Sequence, residues 1–291
     1  MAHPTDDIIR AMQSPTAKDT EIIRDAYDFA EKAHGEEKRK SGEPYIIHPR
    51  AIALTLAKLG MDRDTITAGI LHDTIEDTPV KLEEIEKRYG ANVASMVEGV
   101  TKLSKLKYRG VERHVESMRR LLVATANDVR VIIIKLADRL HNMETLQYVS
   151  EEKRARIALE TREVYVPIAE RLGMGLIKAQ LEDLAFKNLE PEKYKETAAF
   201  LEKEAERAKG ALEETVKDLR KALAEAGIKN FRTESRIKNA HSFAAKLERK
   251  DNDIDKIYDI FAVRIIVPSS DDCYKTLGVV HSLWRPIPGR V

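Results

Sequence analysis

Hydrophobic positions in the first two thirds of the chain recur at helical spacing, and glycine or proline repeatedly cuts the recurrence. In EIIRDAYDFAEKAH, the residues Ile22, Ala26, Phe29, Ala30 and Ala33 fall on one stripe, which predicts an amphipathic helix. RKSGEPYIIHP follows as a loop around Gly-Glu-Pro, and Pro49 stands where it can open the next helix. PRAIALTLAKLG is that helix, closed by Gly60. A further helix is predicted from Asp64 to about Thr74, then KLEEIEKRYG, again ended by glycine. DVRVIIIKLADRLHNMETLQYV begins with an apolar run short enough for a strand. The regular pattern behind that run predicts a buried helix instead.

Beyond Pro191 the pattern changes. PEKYKETAAFLEKEAERAKGALEETVKDLRKALAEAG is laced with opposite charges three and four residues apart, the mark of a long solvated helix. KIYDIFAVRIIVPSS is β-branched and aromatic and is bounded by Pro-Ser-Ser, so it reads as a strand. DDCYKTLGVVHSLW reads as a helix and RPIPGRV as a turn. One strand does not make a stable sheet, so this part reads as the opening of a larger domain. Two domains are expected, residues 1–190 and 191–291.

Composition agrees with that division. The chain has 291 residues, room for two cores, with 43% hydrophobic and 34% charged residues, as in globular domains with charge-rich helices. A net charge of +1 provides no global field for gripping duplex nucleic acid. The single cysteine, Cys273, rules out an internal disulfide and fits a reducing, cytoplasmic setting. No run of about 18 apolar residues is present to cross a membrane, and MAHPTDDIIR lacks a basic-then-apolar leader.

Candidate chemistry centres on GILHDTIEDT, residues 69–78. On a wheel at about 100° per residue, Ile66, Ile70, Leu71, Thr74 and Ile75 share one half. His72, Asp73, Glu76 and Asp77 share the other, with Gly69 among them, its missing side chain leaving room for a close approach. A solvated polar face is the plain reading of such a doublet. Further donors change the weighing. His48 precedes Pro49, and in KLADRLHNMETL the residues Asp138, His141, Asn142 and Thr145 face away from Leu136, Leu140 and Met143. His48, His72, Asp73 and Asp138 form a mixed nitrogen and oxygen set suited to manganese, iron or zinc, with Glu76 and Asp77 placed for acid–base work. His34 reads as a packed helix residue, Lys102 and Lys105 as solvated lysines, and Tyr45 equally as pocket lining or core.

RKSGEPYIIHP, LHDTIEDT, VEGVTKLSKL and KLADRLHNM, in that order, resemble the hydrolase domain of the Rel/SpoT family across most of residues 20–190. The resemblance implies a mainly α fold. An all-helical HD-type metal phosphohydrolase domain would be followed by a truncated α+β, nucleotidyltransferase-like synthetase domain. The implied reaction removes the 3′-pyrophosphate of (p)ppGpp to give GDP or GTP, with Mn2+ on His48, His72, Asp73 and Asp138. Glu76 and Asp77 match the pair that orients or deprotonates water. Arg39 matches the residue stacking on guanine, Lys40 and Ser41 share its loop, and Asn142 and Thr145 match nucleotide contacts. His141 falls beside the site rather than on the metal.

In SRIKNAHSFAAKLERK, the residues Arg236, Lys238, Ser242 and Lys246 keep the spacing of the family's phosphate-gripping synthetase motif. Asp259 matches the Mg2+-binding carboxylate of pyrophosphoryl transfer from ATP to GDP or GTP. Ser235 departs from the usual glycine, and NAHSFAAKL from an aromatic-rich run. Further catalytic residues of that half are expected beyond position 291, so no synthetase activity is expected of this chain, and any ribosome contact would need further C-terminal regions. The competing functions are an HD-type hydrolase of another nucleotide and a silent guanine-nucleotide-binding regulatory module. The Arg39-Lys40-Ser41 loop speaks against the first, and Glu76-Asp77 against the second.

Overall fold

Carboxylates mark where two of the helices around the site begin. Asp62 accepts the backbone N–H of Thr65 at 2.8 Å, and Asp128 accepts that of Arg130 at 2.9 Å. Each satisfies a first-turn donor that the helix itself leaves orphaned. The computed structural model describes residues 3–104 and 128–287, and the chain divides into two compact units, Met1–Leu189 and Glu190–Val291.

The first unit runs α1 (Asp6–Ala11), α2 (Ala17–His34), α3 (Ile47–Lys58), α4 (Arg63–Leu71), α5 (Thr74–Asp77), α6 (Leu82–Tyr89) and α7 (Ala91–Ser104). It continues with α8 (Val129–Glu144), α9 (Glu151–Glu160), a π-helical turn (Thr161–Tyr165), α10 (Val166–Arg171) and α11 (Gly175–Leu189). One contiguous apolar core reaches from Ile8 to Ala185. Within it α3 packs on α4 and α8, and α4 on α8, bringing three helices to one place. The apolar run Val131–Ile134 belongs to α8, as its pattern predicts.

Three local expectations are corrected. Pro49 was expected to open its helix, yet α3 begins at Ile47 and puts His48 in the first turn. Proline lacks only an N–H that has no partner in a first turn, so it does not mark the first residue. The helix expected to reach Thr74 stops at Leu71, and His72-Asp73 separate α4 from α5. Thr74 Oγ1 donates to the Leu71 carbonyl at 2.7 Å, giving that end an alternative to the helical ladder. The single wheel over residues 66–77 therefore fails. Residues Thr65–Leu71 are buried on every side of α4, and Gly69 leaves no cleft, because a Cβ there would overlap Leu56 Cδ1.

The second unit opens with α12 (Pro191–Glu225), a 35-residue helix. It continues with β1 (Arg232–Ile237), α13 (Ala240–Glu248), β2 (Phe261–Ile266) and α14 (Ser270–Leu283). Leu219, Leu223 and Ile228 form a small core with Val263 and Ile265 packed on it. The expectation of one strand is also corrected: β1 pairs antiparallel with β2, setting Thr233 opposite Ile265 and Ser235 opposite Val263. Hydroxyl residues stand where an apolar alternation would have announced the strand. No described helix is long and apolar enough to cross a membrane.

Candidate metal centre

His48 comes from the first turn of α3, His72-Asp73 from the break after α4, and Asp138 from the middle of α8. One donor atom each from His48, His72 and Asp138 lies within 4.8 Å of the others, and all three residues are buried. Asp73 Oδ2 stands 2.9 Å from His72 Nε2 and 3.7 Å from His48 Nε2, while Asp138 Oδ1 is 3.3 Å from His48 Nε2. Asp73 caps no backbone N–H with its side chain, which leaves the carboxylate turned to this cluster.

Hydrogen bonds fix which nitrogens can serve. His72 Nδ1 lies 2.9 Å from the Gly69 carbonyl, which only accepts, so Nδ1 carries the hydrogen and Nε2 faces the cluster. His72 Nε2 is buried and makes no hydrogen bond among the described residues, despite its nearness to Asp73. Lys135 Nζ donates to Asp138 Oδ2 at 2.6 Å and Asn142 Nδ2 to Oδ1 at 2.5 Å. An orphaned buried nitrogen, a second imidazole and two carboxylates converging on one point fit a divalent cation of the transition series.

Electrostatics keep the oxygen donors anionic. Burial alone would raise Asp138, but Lys135 and the imidazoles outweigh it and hold its carboxyl well below the usual range. Asp73 is also lowered, burial being overcome by His72. Burial pushes His48 down, against the pull of Asp138. For His72 burial opposes the imidazolium, but Asp73 prevails and raises it above its ordinary value.

Beside the cluster lies a cavity of about 490 Å³ lined by Arg39, Lys40, Ser41, Tyr45, Asn142, Thr145 and Lys153, among others. Its Arg39 loop is shaped by a turn: the Arg39 N–H donates to the Glu43 carbonyl and the Gly42 N–H to the Arg39 carbonyl, both at 2.9 Å. Gly42 sits at φ +88°, where a side chain would be strained. Arg39 Nη2 donates to Asn142 Oδ1 at 2.8 Å, tying the loop to α8. Thr145 Oγ1 donates to the His141 carbonyl at 3.1 Å at the end of that helix. Lys40 is exposed on the rim, and Ser41 Oγ donates to Glu43 Oε2 at 3.0 Å.

Glu76 and Asp77 are exposed on α5, and neither lines the cavity among the described residues. The Tyr45 hydroxyl lies 2.7 Å from Asp73 Oδ2 and 3.0 Å from Asp77 Oδ2, so the residue left open between core and pocket lines the site. Burial and these carboxylates push its phenol far above the ordinary value, which keeps it a donor. Partial burial and Asp73 raise Asp77. His34 is buried and stacks on Tyr45 with ring centroids 4.3 Å apart. Lys102 pairs with Glu98 at 2.7 Å on an exposed face, and Lys105 lies outside the described residues. Sequence reasoning missed Lys135. Its signal was a charge three residues before Asp138 inside VIIIKLAD, where nothing solvated was expected.

In the second unit Lys238 Nζ and Lys246 Nζ bracket Asp259 at 2.7 and 2.6 Å, pulling its carboxyl down to about 2. Arg236 lies exposed on β1, and Ser242 donates its N–H to Asn239 Oδ1 at the start of α13.

Residues 26–175 match the HD domain, and residues 235–291 match the region found in RelA / SpoT proteins. A guanosine-3′,5′-bis(diphosphate) 3′-pyrophosphohydrolase of Aquifex aeolicus is 48% identical over 271 residues, 93% of this chain and 38% of that protein. A GTP pyrophosphokinase of Myxococcus xanthus is 44% identical over 276 residues, 94% of this chain and 36% of the relative. The bifunctional (p)ppGpp synthase/hydrolase SpoT of Escherichia coli is 44% identical over 270 residues, 92% and 38% of the two chains. The chain thus spans less than two fifths of the length of these relatives. By sequence match and by the buried histidine–aspartate cluster, the chain belongs to the HD-domain family, among those members that also carry the RelA / SpoT region.

Proposed function

We propose that the first unit hydrolyses the 3′-pyrophosphate of (p)ppGpp, giving GDP or GTP and pyrophosphate, with Mn2+ on His48, His72, Asp73 and Asp138. The observation that carries the reading is the convergence of two Nε2 atoms and two carboxylates beside a cavity rimmed by Arg39, Lys40 and Lys153. Relatives named for this hydrolysis support the choice of substrate.

When bound, the divalent ion supplies Lewis-acid polarisation and lowers the pKa of water. The chain does the rest. Arg39, tied to Asn142 in the nucleotide-free chain, offers a planar guanidinium that shifts onto a purine when one binds. Lys40, Ser41 and Thr145 hold the sugar and phosphates, which sets the 3′ group over the cluster. Glu76 takes the proton from the attacking water, and Asp77, steadied by Tyr45, orients it. Burial of the cluster excludes bulk water from its inner side.

The RelA / SpoT region is read as part of a site for the transfer of pyrophosphate from ATP to GDP or GTP, and the transfer itself is not assigned to residues 191–291 alone. Arg236, Lys238, Ser242 and Lys246 would grip phosphates, and Asp259 would hold Mg2+. A relative named GTP pyrophosphokinase supports that assignment. The work is placed in the cytoplasm, in keeping with a lone, exposed Cys273.

The test is ppGpp turnover by the purified chain with Mn2+, after chelation, and in two variants. Expected are GDP and pyrophosphate only with metal. Asp73→Ala should abolish both Mn2+ binding and turnover, while Glu76→Ala keeps Mn2+ and loses a factor of about 10²–10⁴ in rate. Faster hydrolysis of an unrelated nucleotide would transfer the assignment to another phosphohydrolase. Tight ppGpp binding without turnover would make the unit a sensor.

A further inference from the structure

Arg39 Nη1 lies 2.8 Å from His141 Nδ1, and His48 Nδ1 lies 2.8 Å from that same nitrogen. A guanidinium has hydrogens to give and no lone pair to offer. His141 Nδ1 is therefore an acceptor. It follows that His48 Nδ1, facing an acceptor, carries the hydrogen, and that in the neutral ring, the form able to hold a cation, His48 Nε2 presents the lone pair. That lone pair is directed at Asp138 Oδ1, 3.3 Å away, and at Asp73 Oδ2, 3.7 Å away. Three electron-rich atoms thus face one another, an arrangement that a cation reconciles. The His48 and His141 rings lie with centroids 4.9 Å apart.

We propose that His141 is a positioning residue: its Nδ1 lone pair locks His48 in the Nδ1–H form, aiming Nε2 at the cation, and Arg39 shares that lone pair. The inference rests on the metal-centre reading above. A ring nitrogen has one in-plane lone pair, so two donors divide it. When Arg39 moves onto a nucleotide base, His48 holds it alone. Engagement of the base is thereby felt by a metal ligand through one intervening imidazole. His141 is assigned no contact with the ion or with the reacting phosphate.

Nitrogen-15 spectra of the histidine-labelled, metal-free chain test the tautomer without any substitution: His48 should show a protonated Nδ1 and a bare Nε2. A hydrogen on Nε2 instead would overturn the proposal. Mn2+ affinity, read from the free-ion electron paramagnetic resonance signal, tests the consequence. His141→Leu should weaken binding by about 10-fold or more. His141→Asn, whose amide oxygen offers an acceptor near the lost nitrogen, should recover most of the affinity. Arg39→Ala, which frees the lone pair for His48, should bind Mn2+ at least as tightly as the unsubstituted chain. Undiminished binding by His141→Leu would overturn the proposal while leaving the metal centre standing. Failure of the unsubstituted chain to bind Mn2+ would remove the centre, and this proposal with it.

Discussion

At the scale of one residue, Gly69 joins packing to chemistry. It lies in a helix buried from Thr65 to Leu71, and its carbonyl orients His72 through Nδ1. A methyl group there would collide with Leu56, which is fully buried and sits on α3, the helix that also carries His48. Gly69→Ala gains about 1 kcal/mol of helix propensity and loses about 1–3 kcal/mol to overpacking. The expected net is a loss of roughly 1 kcal/mol in urea unfolding of the metal-free chain. Mn2+ affinity should fall with it, because α3, which bears His48, and α4, which leads into His72-Asp73, must separate. A variant of unchanged stability and affinity would show that Leu56 yields without moving its helix.

At the scale of the element, α8 delivers Asp138, His141 and Asn142 to one face, so its start matters to the site. Asp128 caps it, and the same carboxylate binds the Arg130 guanidinium at 2.7 Å. The Arg130 hydrogen bond, ahead of a partly opposing burial, holds Asp128 below the usual carboxylate value. Such a group stabilises the fold fully above its unfolded pKa, about 3.9, and loses that contribution as pH falls through the lower folded value. Asp128→Ala should therefore cost about 1 kcal/mol at pH 7. The gap between variant and parent in urea melts should narrow below about pH 4, and a constant gap down to pH 2 would sink the capping account. Elements differ in how far the chain announces them. α8 was legible because Leu136, Leu140 and Met143 mark its buried side across several turns. The break at His72-Asp73 was not, because Thr74 ends the ladder with a side-chain bond that periodicity does not register. β1 was hidden by Thr233 and Ser235 at its apolar-facing positions. The four candidate ligands were legible as residues, but their convergence is a property of helix packing, as is the Lys135 charge beside Asp138.

At the scale of the molecule, the question is whether the centre and the core of the first unit form one cooperative body. The core is a single cluster that includes Ile23 on α2, Ile52 on α3 and Leu181 on α11. Among the described residues, the proposed metal donors lie on α3, on α8 and in the turn after α4. A cation that binds the folded unit alone adds about 2.7 kcal/mol to its opening free energy at 100 times its dissociation constant. For amides that exchange only through global opening, that is slowing of about 100-fold. If the unit unfolds as one, Ile23 and Leu181 should slow with Mn2+ by the same factor as Ile52, though neither residue is a donor. Hydrogen exchange followed residue by residue, with and without Mn2+, reads this directly. Slowing confined to α3, α4 and α8 would mean that these helices open as a separate body. The site would then be built on a local substructure, and the remaining helices would serve as its support.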